Sequence, residues 1–172
     1  GEAVTPEFYA AARELTRQTG TLLVMDSIQA GFRTTGYLSV VDYPGFEGLE
    51  APDMETFSKA LNAGQYPLSV LAMSEGAAGL YEVGIYGNTM TANPRALDVG
   101  CKVLDTITDD LRANIRDSGV LFLSRLEDLA REFPDDVEAT RGTGLLMSIE
   151  LNPNRRRVVG VGGIEEWCRH RG

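Results

Sequence analysis

The sequence predicts an α/β protein whose strands are of the parallel-sheet type, and three observations carry that expectation. An apolar run, Thr21-Leu-Leu-Val-Met25, stops abruptly at the carboxylate Asp26; unbroken rather than alternating apolarity is the pattern of a strand covered on both faces. A helical pattern lies immediately before it, which makes half of a strand–helix–strand unit. A second strand-like string, Asp53-Met-Glu-Thr-Phe-Ser58, ends just before Lys59.

Each element has a local reason. Thr5-Pro6 reads as N-cap and first helical residue, where a missing N–H costs nothing. Phe8, Ala11, Ala12 and Leu15 follow at helical spacing, and Gly20 suits the left-handed position after a helix. The strand 21–26 comes next. Residues 31–52 hold four Gly and two Pro and read as loop with short elements. After the strand 53–58, Asn62 and Gly64 mark a turn, and residues 68–73 form a third strand. Residues 74–92 are Gly-rich, with Tyr81 and Tyr86 expected to be packing or interface residues. Asn93-Pro94 opens a long helix whose Leu97, Gly100, Leu104, Ile107, Leu111 and Ile115 share one face and are expected in the core. A second helix is expected over 118–133, halted by Pro134. Strands at 137–141 and 145–151 flank Gly142-Thr-Gly144, Asn152-Pro153 turns the chain, and a last helix covers 164–169. A composition shift near 94–118 places a domain boundary on the long helix.

Composition excludes several classes. Of 172 residues, 43% are hydrophobic and 24% charged, an ordinary globular mixture rather than a disordered or collagen-like one. Sixteen basic against 25 acidic side chains give −9, which argues against a nucleic-acid partner. Only residues 152–172 are basic, and Arg155-Arg156-Arg157 reads as a solvated loop. Cys101 and Cys168 lie far apart without metal-type spacing, and His170 is the single histidine. A reducing compartment and no zinc or disulfide framework are therefore expected. No apolar run reaches membrane-spanning length and the first residues lack a secretory pattern, so the expectation is a soluble, cytoplasmic protein with no membrane partner.

In α/β sheets ligands sit beyond the carboxyl ends of the strands. Asp26 and Lys59 both stand at such ends. A carboxylate there can face a cationic ring nitrogen, and a lysine can join an aldehyde as a Schiff base. The plainer alternative is that Asp26 caps a turn and Lys59 lies in solvent. Gly160-Val-Gly162-Gly163 has the look of a dinucleotide loop, but its third glycine is misplaced for that role.

The strings around these residues weigh in favour of chemistry. Asp26-Ser-Ile-Gln29-Ala-Gly-Phe-Arg-Thr-Thr-Gly36 and Pro52-Asp-Met-Glu-Thr-Phe-Ser-Lys59, running on to Tyr66-Pro-Leu-Ser69, resemble class III aminotransferases. So do Tyr86-Gly-Asn-Thr89-Met-Thr-Ala-Asn-Pro94 and Arg141-Gly-Thr-Gly-Leu145, and the Tyr-Pro-Leu-Ser stretch is most similar to the ornithine branch. The resemblance implies fold type I of the pyridoxal 5′-phosphate (PLP) enzymes. Residues 1–110 would be the C-terminal half of the large, mostly parallel-sheet domain with the start of the interdomain helix. Residues 111–172 would be part of the small C-terminal α+β domain. It further implies that the chain is a fragment, lacking the first half of the large domain and the last small-domain strand.

By the same resemblance, Lys59 matches the lysine that holds PLP and moves a proton on the substrate. Asp26 matches the carboxylate facing the pyridine nitrogen, and Gln29 the donor to the phenolic oxygen. Thr89, with Asn88 beside it, matches a phosphate contact made to the other subunit of a homodimer. The implied reaction is ping-pong transfer of an amino group from a primary, terminal amine to an oxo acid or aldehyde. An aminomutase or racemase would use the same lysine and aspartate; a non-catalytic relative serving as a binding module is a further alternative, against which the retained Asp26, Gln29 and Lys59 argue. Ser27 stands where the family usually has Glu, Tyr86 where it commonly has His, and Asn62, Gln65 and Thr34 depart from its pattern too. These positions bear on substrate choice rather than on the lysine and its carboxylate partner.

Overall fold

The computed structural model describes residues 3–171. Helix α1 (Pro6–Thr19) starts where Thr5 Oγ1 accepts from the Phe8 N–H at 3.2 Å and ends at Gly20, left-handed at φ 66°. Its buried face is not the one that its apolar spacing marks. Phe8 and Leu15 are 67% and 60% exposed, whereas Tyr9 and Arg13 are buried. Tyr9 packs with Val40 and Phe46 in the core, backed by Leu23, Met25 and Leu49, and its hydroxyl donates to the Glu50 carbonyl at 2.8 Å. Arg13 reaches two carboxylates, Asp53 and Glu50. Apolar spacing takes no account of such distant partners, so it selected the wrong face.

Strand β1 (Val24–Asp26) pairs in parallel with β2 (Met54–Phe57), and β3 (Val70–Met73) pairs antiparallel on the other edge of β2. The register sets Asp26 opposite Thr56. The strand expected over 21–26 is shorter, and Val24 is exposed rather than covered on both faces. Among the described strands β1 has a neighbour on one edge only, and its pairing begins where β2 does, at Met54. Period-two alternation in β2 buries Glu55 together with Phe57.

Ser74 caps the short helix α2 (Glu75–Ala78), accepting from Ala77 N–H at 3.2 Å. Tyr81 and Tyr86 beyond it are exposed among the described residues, not packed. Helix α3 (Pro94–Asp105) starts at Asn93, whose Oδ1 accepts from Arg95 N–H at 3.0 Å. The expected continuous helix to residue 115 is broken at Thr106. A new helix, α4 (Asp109–Glu132), begins after Thr108, whose Oγ1 accepts from Leu111 N–H at 3.2 Å. Thr108-Asp-Asp is an N-cap followed by two carboxylates in the first turn, a start signal that outweighs the continuous apolar stripe. The α3 core face is also rotated: Leu97 and Leu104 are exposed, while Ala96, Gly100 and Val103 are buried. Gly100 lies close to Leu68: a Cβ there would be 2.6 Å from the end of that side chain.

The chain divides into two compact units, Ala3–Ile115 and residues 116 onward. In the second, α4 runs straight through Ser118-Gly119, where a helix start was expected. Gly119 marks a close approach and not a break, since a Cβ there would lie 2.3 Å from the Gly144 carbonyl oxygen. Strands β4 (Val137–Thr143) and β5 (Leu146–Leu151) form an antiparallel hairpin that turns at left-handed Gly144. Arg155 and Arg156 are exposed, as expected, and pair at the surface with Asp135 and Asp136 at 2.9–3.3 Å. Helix α5 (Ile164–Arg169) lies where the sequence predicts it.

Candidate active site

The parallel pairing of β1 and β2 sets the geometry. Asp26 closes β1, and Lys59 follows the end of β2 three residues beyond Thr56, the partner of Asp26. Paired strands lie about 4.8 Å apart, so both ionisable side chains rise from one sheet edge. Asp26 Oδ1 accepts from the Ile28 N–H at 3.0 Å and from the Thr56 hydroxyl at 3.4 Å. That turn brings Gln29 round toward β2, where Lys59 Nζ donates to Gln29 Oε1 at 3.0 Å. All three side chains are exposed.

The backbone at Lys59 is left-handed, φ 45°, a conformation that costs a non-glycine residue about 1 kcal/mol. Its neighbours hold it there. Ser58 Oγ donates to the Leu68 carbonyl at 2.7 Å and accepts from Ser69 Oγ at 3.0 Å, and Arg33 donates to the Ala60 carbonyl at 3.4 Å.

The segment after Asp26 is fixed from several sides. A Cβ on Gly31 would lie 2.9 Å from the Ser27 carbonyl oxygen and 3.2 Å from the Phe57 ring, so this close approach needs glycine. Phe32 packs on Phe57 with centroids 4.6 Å apart. Tyr43 OH and Thr35 Oγ1 both donate to the Ala30 carbonyl, and burial raises the Tyr43 phenol above its ordinary range. Glu55 is buried and accepts from Ser27 Oγ at 2.5 Å, Val40 N–H at 3.1 Å and Ser39 Oγ at 2.7 Å. At the other end of β2, Asp53 binds Arg13 through both oxygens, at 2.6 and 3.0 Å, and accepts from Leu23 N–H at 2.8 Å. The Arg13 hydrogen bonds, then the Leu23 N–H, hold the Asp53 carboxyl down at about 2.

Of the residues singled out from sequence, Asp26, Gln29 and Lys59 are brought to one edge. Asn88 and Thr89 are not joined to them by any hydrogen bond among the described residues. Asn88 Oδ1 instead accepts from Met90 N–H at 2.8 Å, and both residues are exposed. Sequence reading passed over Glu55, Ser39 and Ser58. The available signal for Glu55 was its alternation with Phe57 on one strand face, a polar residue at an apolar register. Arg13 and Asp53 lie 40 positions apart, and no local pattern links them. In the glycine loop, the Gly162 N–H is taken by the Glu166 carboxylate at 2.6 Å. Among the described residues no helix is long and apolar enough to cross a membrane, and no cluster of three or more His, Cys, Asp or Glu side chains is arranged to hold a metal.

The fold is α/β, a part of fold type I of the PLP-dependent transferases. The chain belongs to the class-III aminotransferase family, whose model matches residues 2–166. It is 32% identical over 150 residues to an ornithine aminotransferase of Bordetella pertussis, an alignment covering 87% of this chain and 34% of that protein. An acetylornithine aminotransferase of Streptomyces coelicolor is 37% identical over 147 residues, covering 85% and 35% respectively. Among solved structures, Plasmodium falciparum ornithine delta-aminotransferase superposes with a TM-score of 0.77 at 26% identity, over 90% of this chain and 39% of that one. The chain thus spans about a third of the length of the curated relatives it matches.

PLP is the cofactor of this family, and one structural relative, from Toxoplasma gondii, is described with PLP at its active site. The donor set here fits that group. It offers a primary amine, a carboxylate with one oxygen turned to the backbone, and an amide already within hydrogen-bond reach of the amine.

Proposed function

We propose that the protein of which this chain is part transfers an amino group from a primary amine to an oxo acid or aldehyde, using PLP. The observation that carries the proposal is the Lys59 amine donating to Gln29 at 3.0 Å, at the carboxyl ends of two parallel strands of which the other closes on Asp26. Lys59 would hold the cofactor covalently, Asp26 would face its ring nitrogen, and Gln29 its phenolic oxygen. When bound, PLP supplies an aldehyde that takes up the amine nitrogen and a ring that draws electrons from the adjacent carbon.

The chain's own groups account for the rest. Asp26, as a carboxylate, favours a protonated ring nitrogen by charge. Its Oδ1 accepts from the Ile28 N–H, which orients the group at the sheet edge. The Lys59 amine, when not engaged, would be the base that takes the proton from the substrate carbon and holds it for return. Gln29 orients that amine. The left-handed backbone at Lys59 turns the side chain off the strand axis toward Gln29.

Terminal-amine donors, two-step ping-pong turnover, a homodimer in which Asn88 and Thr89 serve the partner's cofactor phosphate, and a cytoplasmic setting complete the proposal. The ornithine and acetylornithine aminotransferase relatives support the first. Exposure of the 88–89 segment and the two free, exposed cysteines are consistent with the last two.

The test uses the intact protein. Mixed with PLP it should develop visible absorbance, and borohydride should then fix one cofactor mass on the Lys59 peptide. Lys102, the second of the chain's two lysines, should stay unmodified, and Lys59→Ala should abolish both signals. A colourless protein at saturating PLP, or trapping on Lys102, overturns the proposal. Parallel double-reciprocal plots are expected for the two substrates.

A further inference from the structure

Glu55 is a buried ionisable group, close to the site, that the proposed chemistry leaves unused. It sits at 5% exposure in the middle of β2, on the face opposite Thr56 and therefore away from Asp26. A buried carboxylate is costly unless its oxygens are satisfied. Here three donors converge on it: Ser27 Oγ and Val40 N–H on Oε1, and Ser39 Oγ on Oε2. All three belong to the segment that leaves β1 after Asp26 and returns at Val40. Glu55 thereby ties both ends of that segment to the strand that leads into Lys59. Gln29 lies inside the tied segment, two residues beyond Ser27, and makes the hydrogen bond to Lys59 Nζ.

We propose that Glu55 is a positioning residue for the Lys59 amine. It acts through Ser27, Ser39 and Val40 to hold the Gln29 amide against the lysine, and touches neither the reacting atoms nor the cofactor. The proposal rests on Lys59 being the functional amine for its importance, though the coupling itself is a property of the protein without cofactor. If the network collapses, the segment loses its anchor on β2 and Gln29 loses its fixed distance to Lys59. An amide at position 55 preserves the network, because its oxygen still accepts from Ser27 and Val40 and its N–H₂ donates to Ser39 Oγ. Alanine cannot do either.

The experiment is competitive trace acetylation of the intact, cofactor-free protein, read by peptide mass spectrometry, with Lys102 as the internal reference. Removing the Gln29 hydrogen bond frees the Lys59 amine, so Gln29→Ala should speed Lys59 labelling relative to Lys102 by roughly two- to tenfold. Glu55→Ala should raise the ratio to the same degree. The double variant Glu55→Ala/Gln29→Ala should go no further than either single change, and Glu55→Gln should label like the parent. Should Glu55→Ala fail to fold, Ser39→Ala removes one donor and should give a smaller rise in the same direction. The proposal is overturned if Glu55→Ala (or Ser39→Ala in its place) leaves the ratio at the parental value, if Gln29→Ala itself has no effect, or if the two changes multiply in the double variant. A parent protein that never traps PLP on Lys59 would end the aminotransferase reading while leaving this labelling comparison intact, so the two failures are distinguishable.

Discussion

The ion pair between Arg13 and Asp53 gives a quantitative test of how α1 is fastened to the sheet. Its perturbation is acid, compared between the parent and Asp53→Asn. The Asp53 carboxyl is lowered from 3.8 to about 2 in the folded protein, first by the Arg13 hydrogen bonds and then by the Leu23 N–H. At 1.36 kcal/mol per unit, that difference corresponds to about 2 kcal/mol of stability. The folded value is depressed, so the contribution is complete above the unfolded value near 3.8 and lost as pH falls through about 2. Other carboxylates titrate in both proteins and cancel in the difference. At pH 7 Asp53→Asn should be less stable than the parent by about 3 kcal/mol, because it removes the buried carboxylate that binds Arg13 and leaves the guanidinium only the half-exposed Glu50 as an anionic partner. Between pH 5 and pH 2 that gap should shrink by about 2 kcal/mol. Urea unfolding followed by far-ultraviolet circular dichroism measures it, and exchange of the Leu23 amide reports the same site locally. A gap that stays constant from pH 6 to pH 2 would refute the argument that Asp53 is held ionised by Arg13.

Further outcomes follow from particular contacts. Gly119→Ala places a Cβ 2.3 Å from the Gly144 carbonyl oxygen, and should lower stability by about 2 kcal/mol although alanine favours a helix; a calorimetric midpoint at or above the parent's would contradict this. Thr5→Ala removes the acceptor for the Phe8 N–H and should cost about 1 kcal/mol in denaturant unfolding, with faster amide exchange confined to the first turn of α1. Gly31→Ala should weaken PLP binding in a fluorescence titration, because a Cβ meets the Ser27 carbonyl oxygen and displaces the segment that carries Gln29. Ser58→Ala removes the donor to the Leu68 carbonyl that braces the left-handed Lys59, and should lower the yield of borohydride-trapped PLP while leaving the α-helix content of the circular dichroism spectrum unchanged.

Much of this protein is local and was therefore legible in the sequence. Thr5-Pro6 and Gly20 bound α1, and Asn93-Pro94 starts α3, because caps are decided by a residue and its neighbours within one turn. The ends of the strand-like strings at Asp26 and Lys59 located the two ionisable groups at the strands' carboxyl ends, where the parallel register then paired Asp26 with Thr56, three residues before Lys59. What needed the tertiary structure was whatever depends on partners distant in sequence. The choice of Tyr9 and Arg13 over Phe8 and Leu15 as the buried face follows from Glu50 and Asp53, and the continuation of α4 through Gly119 follows from Gly144. The burial of Glu55 follows from two serines and a backbone N–H on the returning loop. A polar side chain goes inside only when its hydrogen bonds are waiting there, and a chain read residue by residue does not show which distant groups will arrive to make them.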